Sequence, residues 1–322
     1  MYALPYKTKQ FFFVLIKLSL VIAAFCFIYF KLSTNNTLVF SKFLELTSKP
    51  ELISWKPITF LLLLTTLNWL LEILKWQTLI KPLKPISFFE ATTQSLGSLT
   101  VSLFTPNRIG EYGAKALFYN KTEISKIVSI NGLHNLLQLI ATLIFGIAGL
   151  LFFSKNFHLE LNHTKLSMGV LVFTSLILSA CFLLYKTDLK KNIRINKLLN
   201  FIQTYPKSKI GLSFCFSITR YLVFSFQFYF LLLTLNTDIS YLNAMMGISS
   251  MYLLASVIPS IAIFDFAIKG SIAVYLFSFL SIDPIIIIYT TTIMWLLNFA
   301  LPSLIGSYFV LNFKWPKSPV SA

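Results

Sequence analysis

Ile86-Ser-Phe-Phe-Glu-Ala91 returns in softened form as Ile239-Ser-Tyr-Leu-Asn-Ala244, 153 residues later. At the same offset Pro106, in Leu103-Phe-Thr-Pro106, meets Pro259, in Val257-Ile-Pro259. One residue of slip sets Glu111 against Asp265 and Lys115 against Lys269. At an offset of 160, Gln138 meets Asn298 and Gly146 meets Gly306. The chain therefore reads as two diverged copies of one unit. Each copy holds a proline followed by an acid-x-x-x-base pair within apolar sequence. Ionisable residues in hydrocarbon are rare and mark function. A broken hydrophobic segment at matching places in two halves points to a transporter binding site.

Working outward, composition sets the class. The 322 residues are 56% hydrophobic and 12% charged, with a mean hydropathy of +0.76. Soluble domains carry about 25% charged residues, so this is a polytopic membrane protein. The net charge of +16 would suggest nucleic acid in a soluble chain. Here it belongs to short loops, where Lys and Arg set orientation and attract anionic head groups, and no nucleic-acid module is visible. Cys26, Cys181 and Cys215 are odd in number and form no disulfide or metal pattern. His134, His158 and His163 have no carboxylate cluster beside them in sequence, so neither a metal nor a cofactor is expected. Lys7 and Lys9 precede about twenty apolar residues, too long a run for a cleaved leader.

Six runs are long enough to cross about 30 Å of hydrocarbon: Phe11–Phe30, Ile58–Ile80, Ile127–Phe153, Leu166–Tyr185, Ile210–Leu235 and Ile285–Leu311. Ser87–Phe104 stops at Pro106; Tyr241–Ile258 stops at Pro259 and is followed by Phe264–Leu280. These segments read as full crossings or as arms of re-entrant hairpins, because proline breaks a helix and irregular backbone survives at membrane depth only inside protein or beside a wet cavity. With hairpins, the basic residues gather on one side: Lys7 and Lys9, Lys81 to Lys126, Lys186 to Lys209, Lys314 and Lys317. That bias puts both termini in the cytoplasm. The four lysines from Lys31 to Lys56 run against it, and Leu38–Leu46 is read as a helix lying on the surface. Three spans then separate the hairpins, so the copies, residues 11–153 and 166–311 of one membrane domain, would be inverted repeats.

The candidate site residues follow. In Phe104-Thr-Pro-Asn-Arg-Ile-Gly-Glu-Tyr-Gly-Ala-Lys115 the breaks are Pro106 and Gly110. Glu111 and Lys115 share a helix face, and Arg108 offers a planar fork suited to phosphate. A helix opening after Pro106 would aim N–H groups at the same anion. The second copy has Pro259, Asp265, Lys269 and Gly270, and nothing in the place of Arg108. A topological role for the basic residues and a structural ion pair are the plainer readings. Asn68, Glu72 and Lys75 make an inward polar stripe, and Arg220 with Gln227 a weaker one. Lys75 could instead snorkel to the membrane edge. Gln138 and Asn298 suit interhelical hydrogen bonds.

Thr105-Pro-Asn-Arg-Ile-Gly-Glu111, then Gln138, then Ile258-Pro-Ser260 through Lys269-Gly-Ser271, then Trp295-Leu-Leu-Asn298 with Pro302 and Gly306, resemble the flippase-like membrane domain of lysylphosphatidylglycerol synthases, the multiple peptide resistance factor family. The likeness covers residues 10–312. It implies a multi-pass protein of a prokaryotic inner membrane, related to lipid translocation. Full-length members add a soluble aminoacyl-transferase domain; this chain ends at Ala322, so synthase activity is not carried over. Asp265 stands where the family often has Glu.

The combined expectation is an all-α integral membrane protein of about six spans and two broken hairpins. It would be no enzyme, and would move a polar-headed, anionic lipid or lipid-linked sugar between leaflets. Arg108, Lys115 and Lys269 would hold phosphate, with Glu111 and Asp265 steadying the cations. The alternatives are a membrane-embedded enzyme acting on lipid head groups, and a non-transporting partner of a lipid-modifying or glycosyl-transferring enzyme.

Overall fold

A computed structural model describes residues 54–103, 105, 108–157, 201, 204–258 and 262–313, with the backbone alone for 262–267. The expected spans Phe11–Phe30 and Leu166–Tyr185 lie outside the described residues, as do Pro106, Pro259 and most of the Lys186–Lys209 run.

Every element described is helical: α1 Trp55–Ile80, α2 Phe88–Ser102, α3 Ile109–Ala116, α4 Ile124–Asn156, α5 Lys207–Thr234, α6 Tyr241–Val257, α7 Ala262–Ser278, α8 Pro284–Trp295 and α9 Leu301–Leu311. A π-turn, Leu296–Ala300, joins α8 to α9. Four helices are long and apolar enough to cross a membrane: α1, α4, α5 and the continuous α8–α9 rod. They fall on four of the six expected runs. Of the uncertain segments, α2 extends about 22 Å, α3 about 12 Å, and α6 and α7 about 25 Å each at 1.5 Å per residue. Each is shorter than the hydrocarbon is thick.

Local chemistry starts these helices. Ser87 caps α2 with a full capping box: its hydroxyl accepts from the Glu90 N–H at 3.1 Å, and the Glu90 carboxylate accepts from the Ser87 N–H at 2.7 Å. At the equivalent place Ser240 accepts from the Asn243 N–H, half of the same box, because Asn stands for Glu. Asp283 caps α8, with Pro284 in its first turn. The expected helix breaks need correction at the glycines. Gly270 lies inside α7 and Gly110 is the second residue of α3. Gly110 serves a close approach instead, since a Cβ there would stand 2.9 Å from the Thr105 side chain. α2 ends at Ser102 and α6 at Val257, each ahead of its proline in the sequence.

Packing is reciprocal between the halves. α1 lies along α5; α2 lies along α9, and α6 along α4. In the first of these crossed pairs Gly306 brings its backbone against Leu96 and Thr100. In the second, Gly146 meets Ser249 and Leu253. Ser249 and Leu253 are Leu96 and Thr100 displaced by the same 153 residues that relate the two sequence copies. Contacts also fix the ends. The start of α2 sits at the end of α1, where Gln77 donates to the Ile86 carbonyl at 3.0 Å, and Tyr205, just before α5, donates to the Leu79 carbonyl there. The start of α6 sits at the far end of α5, with Tyr241 against Tyr229, and near the end of α4, where Asn156 reaches Met246. The helices α2 and α6 thus begin at opposite ends of the bundle. One large apolar cluster, including Phe153, Phe228, Met251 and Phe277, holds α4 to α8 together. A second, around Trp76, Leu79 and Ile127, sits beside α2 and α3.

Candidate functional site

Where α1, α4 and α5 meet the π-turn, the polar stripes converge. Glu72 of α1 is the hub. Its Oε2 stands 2.9 Å from Lys75 Nζ, 3.0 Å from Arg220 Nη1 and 3.5 Å from His134 Nε2. Lys75 is buried among these groups and does not snorkel. Its Nζ also reaches Gln138 Oε1 at 3.4 Å.

From Arg220 a directed chain of hydrogen bonds crosses the bundle. Arg220 Nε donates to Asn68 Oδ1 (2.9 Å), Asn68 Nδ2 to Asn298 Oδ1 (2.8 Å), Asn298 Nδ2 to Gln227 Oε1 (2.8 Å) and Gln227 Nε2 to Thr65 Oγ1 (2.8 Å). Asn298 occupies the centre of the π-turn, and its carbonyl accepts from Trp69 Nε1 at 3.1 Å. π-turns inside helices are often found at functional sites.

A second ion cluster lies beside α3. Lys115 Nζ is 2.7 Å from Glu111 Oε1 and 2.8 Å from Asn131 Oδ1, and it rests 4.1 Å from the centre of the Trp76 ring. The expected i, i+4 pair therefore forms, fully buried. Arg108, just before α3, has a left-handed backbone (φ 58°), an uncommon and strained state for a residue with a Cβ. Its Nε lies 3.9 Å from Glu111 and its guanidinium faces the Phe299 ring at 5.9 Å. The helix end after Arg108 is not an open anion cradle: the Gly110 N–H bonds Thr105 Oγ1 and the Glu111 N–H bonds the Arg108 carbonyl.

These groups border a cavity of about 490 Å³, within the usual range for ligand pockets. Arg108, Arg220, Lys269, Asn68, Gln138 and Asn298 give its polar lining, and Phe224, Phe228, Met251, Tyr252, Trp295 and Phe299 its apolar lining. Lys269 lies 5.8 Å from the Tyr252 ring. Among the described residues no carboxylate lines the cavity.

The sequence expectations meet this geometry unevenly. Arg108, Lys269, Gln138 and Asn298 border the cavity. Glu111, Lys115, Glu72 and Lys75 do not line it; Glu72 pairs with Arg220 and with Lys75, and Glu111 with Lys115 while lying 3.9 Å from Arg108. The Asp265 side chain lies outside the described residues. His134 and the central place of Arg220 were missed. A lone His or Arg in an apolar run carries no sign of which neighbouring helix it faces.

A match to the family described as lysylphosphatidylglycerol synthase TM region covers residues 13–306. The chain belongs to that family. It is thereby a multi-pass membrane protein, in keeping with its four apolar helices. No curated protein and no solved structure matches it. The family match runs across every element of the site, from Asn68 on α1 to Asn298 in the π-turn.

Proposed function

We propose that this member of the lysylphosphatidylglycerol synthase membrane family moves an anionic, polar-headed lipid between leaflets. One observation carries the reading: a cavity lined by three cations and three carboxamides together with aromatic side chains sits among helices long and apolar enough to cross a membrane. A head group can trade water for the polar lining, while its glycerol and first methylenes lie against the apolar lining. Buried bases in a membrane call for an anion, and the guanidinium fork matches phosphate geometry.

The reciprocal packing and the opposed hairpins support two inverted repeats. Alternating access would then be a rocking of one repeat against the other about the α1–α5 contact. The short helices α2–α3 and α6–α7 are re-entrant arms reaching the cavity from opposite faces. The protein belongs in the inner membrane of a prokaryote, with both termini in the cytoplasm, in line with basic residues near the ends of α1 and the starts of α4 and α5.

The test is reconstitution into vesicles with a trace of fluorescent phosphatidylglycerol, followed by quenching from outside. The expected result is leaflet exchange well above protein-free vesicles, with the lipid mass unchanged. Exchange at the protein-free rate would refute transport, and lipid recovered with altered mass would establish head-group chemistry in its place.

A further inference from the structure

A guanidinium has five N–H donors in a rigid fork. In Arg220, Nε donates to Asn68 and Nη1 to Gln138, and Nη1 also stands 3.0 Å from Glu72 Oε2 in an ion pair. Among the described residues Nη2 has no partner, and Arg220 borders the cavity with 14% of its side chain exposed. Asn68 is itself held by Asn298, and Gln138 donates to the Ser217 carbonyl at 3.3 Å. Three acceptors on two helices therefore lock the plane of the guanidinium. They leave one edge, with two hydrogens, facing empty space.

Arg108 differs. It is 36% exposed, its nearest carboxylate is 3.9 Å away, and its buried Nε has no hydrogen-bond partner. It borders the same cavity from the α3 side. One arginine is fixed and the other is loosely held.

We infer that Arg220 is the phosphate receptor of this cavity, preorganised by Glu72, Asn68 and Gln138, and that Arg108, on the same cavity, closes on the same phosphate. The inference rests on the lipid reading for the source of the phosphate. It narrows the ligand to a phospholipid of net negative charge, such as phosphatidylglycerol, because Arg108, Arg220 and Lys269 all border the cavity. The carboxamides of Asn68, Gln138 and Asn298 are already bonded to one another and to Arg220, so they set the receptor's geometry, while the fork supplies the binding.

Binding is measured separately from transport, by thermal unfolding and native mass spectrometry of the purified protein. The probes are dioleoyl phosphatidylglycerol, dioleoyl phosphatidylethanolamine and inorganic phosphate. Wild type should bind phosphatidylglycerol in preference to phosphatidylethanolamine. Arg220→Lys keeps the ion pair with Glu72 but loses the fork, and should bind phosphatidylglycerol roughly tenfold or more weakly, the worth of a lost charge-assisted hydrogen bond. Should that variant fail to fold, Arg220→Gln, which leaves Glu72 paired with Lys75, should fold and lose the preference. Unchanged phosphatidylglycerol binding in either folded variant overturns the assignment. Equal binding of the two lipids overturns the head-group class, and stabilisation by phosphate without lipid binding overturns the lipid source. If wild type binds but does not exchange lipid, and Arg220→Lys loses binding, the receptor stands without the transport reading. If wild type exchanges lipid and Arg220→Lys binds as wild type does, transport stands without this receptor.

Discussion

Glu72 has three bases within 3.5 Å, so its removal leaves Lys75 and Arg220 buried beside each other without a counter-ion. Truncating one partner of a buried pair costs about 3–5 kcal/mol. Glu72→Ala should therefore unfold at a markedly lower temperature in detergent, followed by tryptophan fluorescence. The Glu111–Lys115 pair tests the same physics in isolation. Lys115→Met strands the Glu111 carboxylate, whereas Glu111→Gln/Lys115→Met removes both charges and should regain most of the lost stability in the same melt. A double variant as unstable as the single one would show that Lys115 acts through its contact with Trp76. Glu111–Lys115 and Asn68–Glu72–Lys75 were legible in sequence because the partners share a helix face. Arg220 and His134 were not, because their partner sits on another span and hydropathy says nothing about which helices face each other.

Among the elements, the glycines at the crossed contacts set how closely the hairpins dock. A methyl on Gly306 would meet the Leu96 carbonyl and the Thr100 hydroxyl, and one on Gly146 would stand 2.6 Å from Leu253 Cβ. Overpacking of this kind costs about 1–3 kcal/mol, so Gly306→Ala and Gly146→Ala should both lower the melting temperature. Gly306→Ala should do so more, because its obstacle is backbone. Gly211 on α5 has nothing within 4 Å, so Gly211→Ala should hold or raise stability in the same assay, as Ala favours helix over Gly. These pairs were foreshadowed by the 160-residue offset that aligned Gly146 with Gly306. The helix ends ahead of the prolines, Ser102 for α2 and Val257 for α6, were also legible, since proline ends a helix. The π-turn was hidden: Leu296–Ala300 lies inside one run of spanning length, and the partners that sustain the turn, Trp69, Asn68 and Gln227, come from other helices.

For the whole molecule, the proposed inversion makes a labelling prediction. Lys84 and Asp238 are both exposed, one after α1 and the other after α5. In a background lacking Cys26, Cys181 and Cys215, Asp238→Cys should react with an impermeant maleimide on intact cells and Lys84→Cys only after lysis. Equal labelling of the two would place both hairpins on one face and remove the inverted repeat. The Glu72 cluster bears on biosynthesis as well. Arg220 follows Asn68 by 152 residues, so at about 5–20 residues per second it leaves the ribosome roughly 8–30 s after that part of α1. Through that interval a lone carboxylate in lipid would stand at a cost of about 2.5–3.5 kcal/mol. Lys75, one turn along the same nascent helix, is the only one of its three bases synthesised with it. The local pair is thus an insertion chaperone written into α1, a provisional counter-ion that shields Glu72 until His134 and then Arg220 emerge.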